Sequence, residues 1–224
     1  MRKLILGLGF FTSLACYGID CTKVRTLDLV NALLESSEER VRSILACSSV
    51  NVNVNGEVED GYRQTPLTAA AYSCLPDFAR VLIEKGANVN QKTSDIFMTP
   101  LVRATTRECL PVMKVLIENK ADASATGGGY TPLGVAVHKS LELVEYLVDH
   151  GADVNQPYYT ADIPQTSPLH GAVRANKTEI VRYLLSKGAD AKYTDTGSKT
   201  ALDWATEISA SEEILNLLGY QQAL

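Results

Sequence analysis

The chain lacks the charge and the long apolar runs that mark several functional classes. It has no basic excess, since 21 Lys and Arg face 26 Asp and Glu, giving a net charge of −5. Nucleic-acid binding needs a basic face that releases counterions, so we expect no nucleic-acid partner. The uncharged run over residues 4–17 has 14 residues, fewer than the roughly 20 that span a bilayer as a helix.

Histidine is scarce, and the patterns of catalytic and metal sites are missing. The three histidines show no metal-ligand spacing, and no Cys-x-x-Cys occurs, so no zinc site is predicted. Gly-x-Ser-x-Gly and His-Glu-x-x-His are also absent. The Gly-Ser-Lys-Thr run at 197–200 lacks the Gly-Lys pair and the upstream glycine of a phosphate loop. We therefore predict no catalysis, metal, cofactor or small-molecule substrate.

The N-terminal 18 residues are typical of a cleaved secretory signal. Arg2 and Lys3 precede a short apolar run that ends in small residues, the pattern of such a signal. Two small-x-small cleavage sites fit, after Ala15 and after Gly18. Removal after Gly18 takes two positive charges from −5 and leaves −7.

The segment also allows two other interpretations. Cys16 directly follows Leu14-Ala15, which permits lipid attachment at that cysteine, and a buried N-terminal helix is the second alternative. The signal interpretation predicts an exported protein. The periplasm is the favoured location, and extracellular and lipid-anchored forms are the alternatives.

Two short markers recur in phase along the chain. The first is Thr-Pro-Leu or a close variant, and its units begin at Thr65, Thr99, Thr131, Ser167 and Thr200. The second is Gly-Ala-Asn or a close variant, and its units begin at Gly86, Lys120, Gly151 and Gly188. The second marker follows the first by about twenty residues each time, which indicates a repeat protein.

The residue chemistry of one unit predicts a helix pair. The Thr65 hydroxyl can cap a helix, and Pro66 fits the first helical position. Residues 78–83 place apolar residues at helical spacing, and Gly86 suits a left-handed helix end. One such pair cannot bury its apolar face alone, so the units must stack.

These markers resemble the ankyrin repeat over roughly residues 22 to 222. The resemblance implies an all-α repeat solenoid of about six units, each a helix-turn-helix followed by a projecting β-turn loop. We predict a signal peptide at 1–18 and one domain over 19–224. Its units are an N-cap at 22–55, repeats at 60–93, 94–125, 126–159 and 160–194, and a C-cap at 195–222.

Three departures from the repeat pattern predict local differences. Lys120 replaces the expected glycine, so that helix end should be less favourable or reshaped. The unit around Lys139-Ser140 is about one residue short, which predicts a tight turn between its helices. The loop from Gln156 to Thr166 is the longest.

Four cysteines remain after signal cleavage at Gly18, and they allow three disulfide pairings. Their places in the repeats favour Cys21–Cys47 and Cys74–Cys109, with free buried thiols as the alternative. The second pairing requires neighbouring turns to bend together, because stacked helices lie roughly 10 Å apart and a disulfide needs Cα atoms within about 7 Å.

The resemblance implies binding through the inner helices, which line a concave face, and through the loop tips. The inner-helix candidates are Tyr72, Thr106, Arg107, His138, Lys139 and Arg174. The loop candidates are Tyr62, Arg63, Phe97, Tyr130, Tyr158, Tyr159 and Tyr193. We expect Pro157 and the long loop to push Tyr158 and Tyr159 outward, whereas Tyr62 and Tyr130 either contact a partner or rigidify their loops.

The expected function is binding of a protein partner of unknown identity by a monomer. The first hypothesis is a general protein-binding scaffold. A second is a dedicated inhibitor, such as an immunity protein that blocks a secreted toxin or effector enzyme. A third is an exported factor that acts on a host protein.

Overall fold

The computed structural model describes residues 20–53, 56–57, 63–94, 98–159 and 165–222. The predicted signal peptide, Tyr62 and Phe97 lie outside these residues. Within them, twelve α-helices and one short hairpin follow in order. They are α1 (Thr26–Leu34), α2 (Glu38–Leu45), β1 (Gly56–Glu57), β2 (Arg63–Gln64), α3 (Pro66–Tyr72), α4 (Pro76–Glu84), α5 (Pro100–Thr106), α6 (Leu110–Glu118), α7 (Pro132–Ala136), α8 (Leu141–Asp149), α9 (Pro168–Arg174), α10 (Thr178–Ser186), α11 (Ala201–Glu207) and α12 (Glu212–Gln222).

The helices form six consecutive pairs that stack into a solenoid. Each odd-numbered helix contacts the even-numbered helix that follows it, and α1, α3, α5, α7, α9 and α11 contact one another in series. We call this series the inner helices and their partners the outer helices. The all-α repeat solenoid predicted from the sequence is confirmed. Because contacts are made mainly between adjacent units, each pair buries the apolar face of its neighbour.

Five inner helices begin as their first residues predict. The capping hydroxyls accept hydrogen bonds from backbone N–H groups three residues later, and they belong to Thr65, Thr99, Thr131, Ser167 and Thr200. Four of these helices have proline at their first position, where the missing N–H costs no helical hydrogen bond. The buried leucine that follows, exemplified by Leu67 and Leu133, enters the common core.

The α7–α8 unit is one residue shorter than its neighbours, counted from the proline that begins its inner helix to the first residue of its outer helix, and α7 has 5 residues where α3, α5 and α9 have 7. In the other five units a residue with positive φ precedes the second helix, and these residues are Ser36, Cys74, Glu108, Asn176 and Ser209. The α7–α8 turn has no such residue. There Ser140 stands directly before α8, and its hydroxyl accepts a hydrogen bond from the Leu143 N–H.

The outer helix α6 ends like its neighbours although Lys120 stands where they have glycine. Gly86, Gly151 and Gly188 have φ of +89°, +92° and +87°, and Lys120 has φ of +67°. The N–H of the following residue, Ala121, donates to the Leu116 carbonyl. The turn is therefore not reshaped. The lysine instead adopts the left-handed conformation, which is unfavourable for a residue with a Cβ.

Asparagine and serine side chains link each projecting loop to the next. Asn53 donates from Nδ2 to the Gly86 carbonyl over 2.8 Å, and its Oδ1 accepts from the Asn88 N–H over 2.7 Å. Asn90 and Asn155 make the same two bonds one unit further along. Ser124 makes both with its single hydroxyl. This row of bonds fixes the spacing of the loops above the inner helices.

Two cysteine pairs join the N-terminal half of the solenoid. The structure pairs Cys21 with Cys47 across the first helix pair, with Cα atoms 5.5 Å apart. It pairs Cys74 with Cys109 between adjacent inter-helix turns, with Cα atoms 5.6 Å apart. Both distances lie within the range of disulfides. In the part of the chain that the structure describes, no helix has the length and apolar character to cross a membrane.

Candidate protein-binding surface

A groove of about 680 Å³ opens across the ends of three inner helices, α5, α7 and α9. Its walls come from these helices, the turns that follow them and two loops. The residues that line it are Met98, Thr106, Tyr130, Gly134, Val135, His138, Lys139, Tyr158, Arg174 and Ala175. The structure thus brings together six of the residues proposed from the sequence: Thr106, Tyr130, His138, Lys139, Tyr158 and Arg174.

Tyr158 does not point outward, so the sequence-based expectation for it is wrong. Its side chain is only 1% exposed and is the largest fully buried one in the described chain. The ring lies against Gly134 of α7, where an added Cβ would come within 2.5–2.7 Å of ring carbons. Its hydroxyl lies against Gly171 of α9. Two helical glycines therefore make the space that this tyrosine fills.

The backbone on either side of Tyr158 is also fixed. Tyr158 exchanges two backbone hydrogen bonds with Thr166, of 2.8 and 2.9 Å, which closes the base of the long loop. The Tyr159 N–H donates to the Gly129 carbonyl over 2.9 Å, which ties this loop to the preceding one. The extra length of the loop therefore does not carry Tyr158 into solvent. Tyr159, in contrast, is 53% exposed as expected.

His138 connects this buried tyrosine to the open groove. Its Nε2 lies 3.1 Å from the Tyr158 hydroxyl, while the ring is exposed to the groove. The surrounding protein, and then the positive charges of Arg174 and Lys139, hold the pKa of His138 below its usual value. The imidazole is therefore neutral near pH 7 and adds no positive charge to those of Arg174 and Lys139.

Cations stack on aromatic rings along the inner helices. Arg107 lies 4.7 Å from the centre of the Tyr72 ring, and its Nε donates to the Tyr72 carbonyl over 3.1 Å. Arg174 lies 5.0 Å from the Trp204 ring, with Lys199 at 4.5 Å from the same ring. These contacts hold the positive charges along the inner helices in defined positions.

In the four central units, charge is divided between the inner and the outer helices. Helices α3, α5, α7 and α9 contain no acidic residue, whereas Arg103 and Arg174 lie on them. Arg107 and Lys139 follow α5 and α7, and Lys139 pairs with Glu108 over 3.3 Å. The outer helices α4, α6, α8 and α10 contain seven acidic and three basic residues. The groove is therefore a positive region of an acidic chain.

The remaining proposed residues lie in different surroundings. Tyr72 is 38% and Tyr130 is 37% exposed, and Arg63 is exposed in β2. Tyr193 is half-buried, and its ring packs edge-on against His170 with centroids 5.8 Å apart. It supports its own loop rather than the groove.

Sequence reasoning missed four residues that shape the groove: Met98, Gly134, Val135 and Gly171. The two glycines carried a usable signal, because glycine inside a helix is unfavourable and usually marks a close approach. Met98 and Val135 carried none, since apolar residues are expected in every repeat. Within the described ranges no cluster of three or more His, Cys, Asp or Glu is placed to hold a metal ion.

Comparisons with known proteins identify the repeat. The model of a single ankyrin repeat matches residues 62–94, and the model of three ankyrin repeats matches residues 92–158 and 159–223. The chain is similar to the B-cell lymphoma 3 protein homolog of Mus musculus, with 27% identity over 80% of this chain and 46% of that protein. It is also similar to a putative ankyrin repeat protein of Rickettsia felis, with 31% identity over 59% of this chain and 63% of that protein.

A third relative shows how widely the repeat is shared. The BRCA1-associated RING domain protein 1 of Caenorhabditis elegans is 37% identical over 47% of this chain but only 15% of its own length. The chain thus spans less than two thirds of the length of each of these relatives. Since the ankyrin models together cover well over half of it, the chain belongs to the ankyrin-repeat family.

Proposed function

We propose that the chain is an exported, non-catalytic scaffold that binds a protein partner along the inner helices and the loop tips. The observation that carries this proposal is the groove across α5, α7 and α9, which three repeats build together. Its rim presents Tyr130 at 37% exposure, and Tyr159 on the adjoining loop is 53% exposed. Exposed tyrosine and arginine side chains are typical anchors of protein interfaces.

The repeat architecture itself supports a binding role. Ankyrin repeats generally mediate contacts between proteins, and the conspicuous polar groups outside the groove have structural roles. The Thr and Ser hydroxyls cap helices, and His170 joins Ser167 to the Lys199 carbonyl. The polar side chains of the groove are those on the inner-helix face that the repeat structure itself does not require.

Export is proposed from the N-terminal sequence and from the cysteines. Disulfides persist in oxidising compartments and are rare where thiols are kept reduced. The two cysteine pairs involve all four cysteines beyond residue 18. The test is mass mapping of the chain from the extracytoplasmic fraction under non-reducing conditions. Two linked peptide pairs and an N-terminus near residue 19 support export, whereas four free thiols contradict it.

Affinity capture tests the binding proposal. The chain from residue 19 is used as bait in an extract of the exported proteins of its own source. A variant with Tyr130→Ala, Arg107→Ala and Tyr159→Ala removes exposed groups of the inner-helix face. A matched control carries Lys114→Ala, Glu118→Ala and Glu145→Ala, which are exposed on the outer helices.

The proposal expects one protein that the parent and the control retain and the inner-face variant loses. Equal retention by the inner-face variant would place binding elsewhere on the molecule. The identity of the captured protein also separates the two roles: a toxin or effector enzyme whose activity falls on binding is the inhibitor outcome, and any other partner is the scaffold outcome.

A further inference from the structure

We propose that the groove across α5, α7 and α9 binds an acidic segment of the partner protein, in which an Asp or Glu side chain lies next to an apolar or aromatic one. This inference rests on the proposed protein-binding function and adds the chemistry of the partner. It follows from the charge of the walls, the apolar floor and the acidic remainder of the chain.

The charged walls of the groove favour an anionic side chain. Lys139 and Arg174 line it from two different inner repeats, and the positive charges of both act on His138, which lines the same groove. Thr106 and His138 add neutral polar groups. Lys139 pairs with Glu108 over 3.3 Å and Arg174 stacks on Trp204, so these three charged groups leave one net positive charge. Together with the neutral hydrogen-bonding neighbours, that charge suits one carboxylate.

The floor of the groove favours an apolar neighbour for that carboxylate. Met98, Val135 and Ala175 line it together with the ring of the buried Tyr158, and the partly exposed ring of Tyr130 stands at its edge. The volume of about 680 Å³ is in the range of ligand sites that enclose a few side chains. A segment with acidic residues alone would leave this apolar surface uncovered.

The negative charge elsewhere on the chain favours binding of an acidic segment at the groove over binding at other surfaces. The whole chain carries −5, and the outer helices α4, α6, α8 and α10 together contain seven acidic and three basic residues. An acidic partner is repelled by those outer surfaces and attracted by the inner helices, which combines orientation with specificity. Nucleic acid fits less well, because it needs a long basic stripe and the groove offers two cations above an apolar floor.

The experiment selects binding peptides from a library of random sequences. Random twelve-residue peptides displayed on phage are selected on the chain from residue 19 at low salt, and the enriched peptides are synthesised. The expected peptides contain Asp or Glu beside an aromatic or aliphatic residue. Their affinity should fall as NaCl rises, because the ion pairs are partly exposed.

Charge variants then place the peptide in the groove. The double variant Lys139→Gln, Arg174→Gln should weaken binding about tenfold, since two partly exposed ion pairs are lost. Lys85→Gln, Lys114→Gln removes the same charge from exposed positions at the end of α4 and on α6 and should leave the affinity unchanged. Lys139→Arg, Arg174→Lys keeps the charge and should bind nearly as well, which separates charge from packing. Thermal melts show whether each variant is folded.

A nuclear magnetic resonance titration of His138 gives an independent readout. A bound carboxylate favours the charged imidazole, so the His138 pKa should rise when the acidic peptide is added and stay constant with its Gln or Asn counterpart. The inference is overturned by enriched peptides that lack acidic residues, or by acidic peptides that bind the double variant equally well. It is also overturned if a single-stranded oligonucleotide or a second copy of the chain occupies the groove instead.

The two proposals fail in distinguishable ways. If affinity capture yields a partner that depends on the inner face while the selected peptides are neutral, the chemistry proposed for the groove is wrong and the binding function stands. If neither capture nor selection yields a ligand, both are wrong.

Discussion

The hydroxyl of Tyr158 lies 3.1 Å from Nε2 of His138, so a residue of the long loop is hydrogen-bonded to a side chain of the inner-helix face. The phenol reaches this position by crossing Gly134 and Gly171, where any Cβ would collide with it. Burial raises the pKa of Tyr158 well above its usual value, so the phenol stays neutral. The tyrosine therefore belongs to the core between two repeats and forms part of the groove floor.

Replacing Tyr158 should destabilise the protein. Tyr158→Ala removes a fully buried aromatic side chain and leaves a cavity between α7 and α9, and we expect the free energy of unfolding to fall by about 3–5 kcal/mol. Tyr158→Phe loses the hydrogen bond to His138 and should cost about 1 kcal/mol. Urea unfolding followed by circular dichroism measures both. Tyr159→Ala, on a half-exposed neighbour, is the control and should change the midpoint little; equal midpoints for all three variants would contradict this account.

The role of Gly134 can be tested by a double-mutant cycle. Glycine to alanine inside a helix usually stabilises by about 0.5–1 kcal/mol. Gly134→Ala should instead destabilise by about 1–3 kcal/mol, because the new methyl group collides with the Tyr158 ring. Gly219 of α12 has no atom within 4 Å of an added Cβ, so Gly219→Ala should be neutral or stabilising.

Combining Gly134→Ala with Tyr158→Ala completes the cycle. The methyl group then enters the space that the ring has left, so the second substitution should be neutral or stabilising in that background. If Gly134→Ala costs the same with and without Tyr158, the two residues do not share this space and the packing account is wrong.

The fold was predictable because its signals are local and repeated. Thr65 and its equivalents cap helices by chemistry that needs no distant partner, and five such signals in phase predict stacked helix pairs. The position of Tyr158 was not predictable in this way. A proline and extra loop length predict an outward-pointing side chain only when no space for that side chain exists beneath the loop. That space comes from Gly134 and Gly171, which are 24 and 13 residues away in the chain. Sequence position alone does not show which tyrosine fills it.

The conformation of the outer-helix end at Lys120 could be predicted only in part from the sequence. The missing glycine indicated an unfavourable helix end, but the choice between a strained and a reshaped turn depends on the neighbours. Asn90 donates to the Lys120 carbonyl and accepts from the Asp122 N–H. Because the loop bonds of the preceding unit hold this turn, the backbone keeps the common shape and the lysine adopts φ of +67°.

Lys120→Gly should therefore stabilise the protein. Glycine adopts positive φ without a Cβ penalty, and the gain exceeds its larger loss of chain entropy on folding, so we expect about 0.5–1 kcal/mol. Thermal unfolding measures the change as a higher midpoint. Gly151→Lys is the reciprocal control, since Gly151 has φ of +92°, and it should lower the midpoint. A Lys120→Gly protein that melts below the parent would show that the lysine side chain contributes contacts that outweigh its backbone strain.

His170 should make stability fall in mild acid. It is fully buried, with Nδ1 2.7 Å from the Ser167 hydroxyl and Nε2 3.0 Å from the Lys199 carbonyl. Burial, partly opposed by the hydrogen bond to the Lys199 carbonyl, lowers the pKa of His170 in the folded protein. Below the unfolded pKa of about 6.5, the unfolded chain binds a proton that the folded protein does not, so the free energy of unfolding decreases as pH falls from there.

Urea midpoints at pH 7.5 and at pH 5.5 measure this dependence. The parent should lose stability between the two values. His170→Gln should be less stable at pH 7.5, because it replaces a buried, hydrogen-bonded ring, but it should lose less on acidification. His150→Gln is the matched control for the loss of a histidine, since His150 is exposed. His138, whose pKa is also lowered, accounts for the residual slope in His170→Gln because the two shifts act in the same direction. If His170→Gln and the parent lose equal stability, His170 does not take up the proton on unfolding, and the acid sensitivity has its source elsewhere.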